Sequence, residues 1–249
     1  MSLDIANMYT NIPTGELITI INKACQNNYI ENNLKHDIVK LAKTIIEQNC
    51  FQFGGRTYIQ SEGLATGAPT SSIFSELYLQ HLESTRIYDI LMNHNIEGYF
   101  RYVDDILIVY NESKTDINYI LDCFNKLTPK LEFTLERETN CRISFLDITI
   151  CREQKCFSMD IYRKPISTGV IIPNDSCHPR EHKVAAIRYL HNSMVSYQLA
   201  LENMEKEHNT ILQILNSNKY DKSILRKLST KKGHENIKRI KPSGLSSHT

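Results

Sequence analysis

Apolar positions along the chain switch repeatedly between helical and strand spacing, and the switches predict a mixed α and β protein. Asp4 lies near the end of a short opening strand, and Pro13 followed by Thr14 marks a turn into a helix over Thr14–Asn27. Leu34, Ile38, Leu41 and Ile45 recur at helical spacing and predict a second helix from Leu34 to Asn49. Phe51-Gln52-Phe53 and Thr57-Tyr58-Ile59 around Gly54-Gly55 read as a hairpin. A loop of small residues, Gly63 to Pro69, leads into a helix over Thr70–Asn93. A hairpin over Glu97–Tyr110, a helix over Asp116–Leu127, and strands at Leu131–Glu136, Ile143–Ile150 and Phe157–Tyr162 follow. Gly and Pro are then absent between Glu181 and Thr230, so the chain from Glu181 to the Lys219 region is expected to be mostly helical. No internal repeat interrupts this order. The fold class that results is α+β, an antiparallel sheet with helices on one face and a helical appendage after it.

With 249 residues the chain is long enough for one large domain, or a domain with an appendage, and for a buried core. Its 41% hydrophobic and 23% charged content is ordinary for a globular protein. No apolar run approaches the ~20 residues that span a bilayer. The N-terminus resembles neither a signal nor a transit segment. A soluble intracellular protein with no membrane partner is the expectation. Charge is unevenly placed. Lys219 to Lys241 carries nine Lys/Arg against Asp221 and Glu235, a balance of +7, while the rest holds 20 basic and 26 acidic groups, a balance of −6. Such a basic end suits either a polyanion-binding arm or a solvated tail. The seven cysteines form no CxxC pair and fit a reducing compartment. Cys151, Cys156, Cys177, His178 and His182 are zinc-capable residue types, but the Cys-x4-Cys spacing falls outside the usual structural range, which favours a structural role.

The chemistry concentrates in Tyr102-Val103-Asp104-Asp105. Apolar residues on both sides, Tyr99-Phe100 and Ile106 to Val109, ask for strands, so the two acids sit at the tip of a tight hairpin. A solvated Asp-Asp turn is the plain alternative. Adjacent hard oxygen ligands on a rigid turn suit Mg²⁺, which takes one or two carboxylates and completes its shell with water and phosphate oxygens.

Four segments in order carry a resemblance. They are Asp4 with Met8-Tyr9-Thr10-Asn11-Ile12-Pro13, Gly63-Leu64-Ala65-Thr66-Gly67-Ala68-Pro69, Tyr102-Val103-Asp104-Asp105, and Phe145-Leu146-Asp147 with Tyr162-Arg163-Lys164-Pro165. From Ser2 to about Tyr220 this text resembles the palm and thumb of reverse transcriptases, and within them Penelope-like retroelements. The resemblance implies an RNA-directed DNA polymerase that adds dNTPs to a DNA primer on an RNA template. It implies catalytic Asp4, Asp104 and Asp105, and two Mg²⁺ ions (Mn²⁺ as a substitute) at Asp4, Ile5, Asp104 and Asp105. Nucleotide contacts would fall on Tyr9, Gly63, Gly67, Ala68 and Pro69. Tyr9 would pack under the sugar and exclude a 2′-hydroxyl, or else be a core aromatic. Primer and template contacts would fall on Phe145, Leu146, Asp147, Arg163 and Lys164, with Arg180, Lys183 and Arg188 extending the surface. Ala68, where Ser is common, and Glu62, where Gln is common, depart from the pattern. An acid beside a triphosphate pocket is electrostatically unhelpful.

The expected division is a palm over 1–150, a thumb-like region over 151–220 and a basic segment over 221–249, a linker or disordered. The chain starts three residues before Asp4, where reverse transcriptases have a basic fingers region upstream. Nothing after Lys241 resembles the GIY-YIG endonuclease of Penelope-like elements. An internal piece of a longer polyprotein, or a truncated copy, is therefore expected, with a nuclear site implied by the resemblance alone. A catalytically inactive nucleic-acid-binding remnant is the alternative function.

Overall fold

Alternation along the first strand sets the layer order. In β1 (Ser2–Ala6), Leu3 and Ile5 are buried at 0% and 2% exposure, while Asp4 between them is exposed. Successive strand side chains point to opposite faces, so one face of β1 is apolar and the other carries Asp4. The structure, a computed structural model, describes residues 1–26, 31–153 and 156–228. The basic stretch beyond 228 lies outside the described residues, as does most of the segment expected over 221–249. The described chain divides into two compact units that part at Glu138/Thr139.

In the first unit, β1 pairs antiparallel with β5 (Asp105–Tyr110) on one side and β6 (Glu132–Glu136) on the other. With β4 (Ile96–Tyr102) at the edge, the order is β4-β5-β1-β6. Leu3, Ile5, Ile106, Ile108 and Phe133 line the apolar face. They pack with Leu17, Ile20 and Ile21 of α2 (Thr14–Gln26), Tyr78, Leu79 and Leu82 of α4 (Ser71–Leu82), and Ile117, Ile120 and Phe124 of α6 (Ile117–Asn125). At about 25 cal/mol per Å² of apolar area, burying such side chains is the main stabilising contribution to this layer. Asp116 caps α6, its carboxylate accepting from the Asn118 and Tyr119 amides.

Two details of the first unit depart from the sequence expectation. The helix expected over 70–93 is interrupted by a π-helical turn, Glu83–Ile87, before α5 (Tyr88–Asn93). The Ser84 and Thr85 hydroxyls both donate to the His81 carbonyl, competing for the acceptor that an α-helical amide at Thr85 would use. In α3 (Asn32–Glu47), Leu34 and Leu41 are exposed, and the buried positions are Ala42 and Ile46. The hairpin of β2 (Cys50–Phe53) and β3 (Arg56–Ile59) forms as expected and is exposed along its whole length.

The second unit holds an antiparallel three-stranded sheet, β7 (Arg142–Phe145), β8 (Ile148–Arg152) and β9 (Phe157–Ile161). The single strand expected over Ile143–Ile150 is thus two. A two-residue turn, Leu146-Asp147, folds it back on itself, with Leu146 at φ 54°. Such turns normally announce themselves with Gly or Asn at that position, and here a Leu occupies it. Helices α7 (Arg180–Ser196) and α8 (Leu201–Ser217) follow and share a separate core of Ile187, Met194, Leu199, Ile211, Leu215, Tyr220 and Leu225. No helix among the described residues is long and apolar enough to cross a membrane.

Candidate functional site

The β1–β5 register makes Asp4 and Asp105 direct partners across the antiparallel pair. Directly opposed residues have Cα atoms only ~4.5–5.5 Å apart with side chains on the same face. Here that face is the one turned away from the helices. The ladder stops at this pair, and Ile5 has its strand partner, Phe133, on β6 alone. The Ile5 side chain is buried, so what it can offer a ligand is its backbone carbonyl. Tyr102 pairs with Asp105 to close the β4–β5 hairpin, leaving Val103 and Asp104 as its two-residue tip. Val103 has φ 58°, a left-handed conformation that a β-branched residue rarely adopts.

Opposed like charges weaken a sheet, and among the described residues no Lys or Arg forms an ion pair with Asp4 or Asp104. A small divalent cation with oxygen ligands is the kind of group that two facing carboxylates and a nearby backbone carbonyl fit. No group of three or more His, Cys, Asp or Glu side chains is drawn together to hold a metal among the described residues. Cys151 is buried while Cys156 and Cys177 are exposed.

The loop after β3 is tied to the segment that carries Tyr9. Tyr9 lies in the short helix α1 (Met8–Asn11), half-buried against the core, and its carbonyl accepts from the Leu64 amide at 2.7 Å. Gly63, at φ 77°, lies so close that a Cβ would sit 2.1 Å from the Thr10 carbonyl oxygen. The tight approach that requires glycine is thus with this chain's own backbone. Gly67, at φ 87°, has nothing within 4 Å of where a Cβ would be, and it is exposed with Pro69 beside a half-buried Ala68. The buried Ser71 hydroxyl donates to Ala65 at 2.7 Å and anchors the loop to the start of α4. Glu62 meets Lys130 at 2.9 Å, and that hydrogen bond and charge hold its pKa low. The acid that looked unhelpful is therefore matched by a cation 68 residues away in sequence.

In the second unit, Leu146 and Asp147 form the β7–β8 turn with Phe145 at the end of its strand. The Asp147 carboxylate accepts from the Tyr189 hydroxyl of α7 at 2.5 Å, and its carbonyl accepts from the Tyr162 amide at 2.9 Å. Leu146, Asp147, Tyr162 and Tyr189, with Arg163, Lys164, Ser193 and Glu207, line a cavity of about 550 Å³. Arg163 is not available as a simple phosphate contact, because both its terminal nitrogens bond the buried Glu207. Lys164 is exposed. Lys183 donates to the Asn174 and Ser176 carbonyls and so braces the loop before α7.

Sequence patterns missed one group. Arg101, two residues before the hairpin tip, is buried at 8% side-chain exposure and grips Glu76 of α4 and Glu83 of the π turn. An arginine beside an acidic pair, and two glutamates seven apart on one helix face, were the available signals.

No protein-family model matches the chain, and no curated protein matches it. Solved structures do. A telomerase from Candida albicans, in complex with a TWJ fragment of telomeric RNA, is similar with TM-score 0.58 and 14% identity, over 90% of this chain and 40% of that one. A Sicinivirus 3Dpol RNA-dependent RNA polymerase is similar with TM-score 0.55 and 16% identity, over 88% of this chain and 47% of that one. The chain spans less than half the length of either. At such identities the likeness concerns the fold, and the α+β fold of this chain is that of a nucleic-acid polymerase palm and thumb.

Proposed function

We propose that the chain is the palm and thumb of an RNA-directed DNA polymerase of a Penelope-like retroelement, acting on an RNA template, a DNA primer and dNTPs. The observation that supports this most is the pairing of Asp4 with Asp105 across two strands, with Asp104 at the adjoining tip. One carboxylate cannot hold two hard cations, and carboxylates from two strands can. Two Mg²⁺ ions would supply charge stabilisation to both the attacking and the leaving oxygens of an in-line displacement. Asp4, Asp104 and the Ile5 carbonyl would hold them, with Asp105 in support. Tyr9 would press against the sugar, the exposed Gly67–Pro69 stretch would border the base pair, and Lys164 would meet primer phosphates.

The test is primer extension on poly(rA)/oligo(dT) by the full-length protein. Asp104→Asn should abolish extension while folding and RNA binding persist. Extension by the variant at the wild-type rate would remove the two-carboxylate assignment. Matched RNA and DNA templates address template choice, and a strong preference for DNA would count against the retroelement assignment.

A second reading is a non-catalytic nucleic-acid-binding remnant, with which the engagement of Arg163 by the buried Glu207 is consistent. It expects residues 1–249 to bind primer–template weakly, with steep salt dependence and no polymerisation. Processive extension by this chain alone would exclude it.

A further inference from the structure

The hairpin tip that carries Asp104 is held in an unfavourable backbone conformation, and the holding group is identifiable. Arg101 extends five nitrogen-to-oxygen contacts. Nε donates to Glu83 Oε1 at 2.6 Å and Nη2 to Glu83 Oε2 at 3.0 Å, a fork on one carboxylate. Nη1 donates to Glu76 Oε2 at 2.8 Å and Nη2 to Glu76 Oε1 at 3.0 Å, a fork on the other. The fifth contact runs from Nη1 to the Val103 carbonyl at 3.2 Å. The Tyr99 hydroxyl adds a bond to Glu83 at 3.0 Å, so β4 is tied to the helical layer at two positions. Burial alone would lower the Arg101 pKa, but the hydrogen bonds to Glu83 and Glu76 and their charges more than reverse this and raise it. The guanidinium is a permanent cation facing two carboxylates.

We infer that Arg101 is a positioning residue: through its bond to the Val103 carbonyl and its forks on Glu76 and Glu83, it holds Val103 in its left-handed conformation and so keeps the Val103–Asp104 turn beside Asp4 and Asp105. Three facts converge on this. Val103 at φ 58° costs free energy that some other contact must offset. Arg101 makes the hydrogen bond to that residue's carbonyl and is itself anchored to α4 and the π-helical turn. Bidentate arginine pairs are directional, so they define where a backbone sits and do more than neutralise charge. A lysine could keep the charge but not the planar fork. The catalytic meaning of the inference rests on the polymerase reading above, whereas the turn-holding does not.

The test uses the full chain and Arg101→Lys. Hydrogen–deuterium exchange over residues 99–108 should quicken by at least about tenfold, as expected for losing charge-assisted bonds, while β6 and α6 keep wild-type protection. Adding Val103→Asn, which places a residue tolerant of positive φ at the turn, should recover most of that protection. In primer extension, kcat should fall at least about tenfold with KM for dNTP within about twofold, and Val103→Asn should restore part of kcat. Wild-type exchange at the tip, or an equal loss of protection throughout the first unit, overturns the inference. If Arg101→Lys does not fold, Glu76→Gln, which weakens one fork at a partly exposed side chain, is judged by the same criteria. A wild-type chain that extends no primer would fail the polymerase reading, and the exchange data would still decide the role of Arg101.

Discussion

Arg163 and Glu207, 44 residues apart, meet as a two-bonded pair at 2.6 and 2.5 Å, with the Glu207 side chain only 3% exposed. Removing one partner would leave the other charge uncompensated. Arg163→Ala or Glu207→Ala should therefore cost on the order of 3–5 kcal/mol in denaturant unfolding, whereas joint replacement by apolar residues of similar size should be far milder. If Arg163 instead served mainly as a phosphate contact, Arg163→Ala would weaken primer–template binding and leave stability unchanged.

The Tyr189–Asp147 bond predicts a pH dependence at the alkaline end. The hydrogen bond to the Asp147 carboxylate, then burial and the Asp147 charge, raise the Tyr189 pKa from 10.0 to about 12. A folded pKa above the unfolded one means that the folded state retains its proton longer. The stabilisation is fully present below pH 10 and fades as pH rises through about 12. The stability difference between wild type and Tyr189→Phe should be constant up to about pH 10 and shrink towards pH 12. A difference that does not change over that interval would contradict the bond.

Gly63 and Gly67 should respond differently to the same substitution. Both have positive φ, so alanine carries roughly 1–2 kcal/mol of backbone strain at either. Only at Gly63 does the new methyl strike backbone, 2.1 Å from the Thr10 oxygen. Gly63→Ala should lower the thermal midpoint much more than Gly67→Ala. If the loop borders the nascent base pair as proposed, Gly67→Ala should act chiefly on KM for dNTP.

Tyr9→Ala separates sugar exclusion from packing. Tyr9 is half-buried, so truncation should cost less than the ~3–5 kcal/mol of a fully buried aromatic. If its ring fills the space that a 2′-hydroxyl needs, rNTP incorporation should rise relative to dNTP incorporation. An unchanged ratio with a large fall in thermal midpoint would make Tyr9 a packing residue.

Local sequence determined the elements and the order of the acids. The helices expected over 14–27, from the Pro13-Thr14 turn, and over 116–127 come within a few residues of α2 and α6. The flanking apolar runs around Asp104-Asp105 predicted the β4–β5 hairpin. These features depend on residues within a turn or a strand of one another, where periodicity carries the information. The tertiary structure decided what depends on partners far apart in the chain. Strand register set Asp4 opposite Asp105, and no local pattern specifies which residue faces which across 101 positions. Ion pairing took Arg163 out of the free cations and gave Glu62 a counter-charge in Lys130. Packing explained Gly63 through Thr10, and it tolerated Leu146 at a turn position where sequence alone reads a continuous strand. Each outcome turns on which groups meet once the chain has folded, because Coulomb attraction and steric exclusion act over a few ångströms of space and are indifferent to separation along the chain.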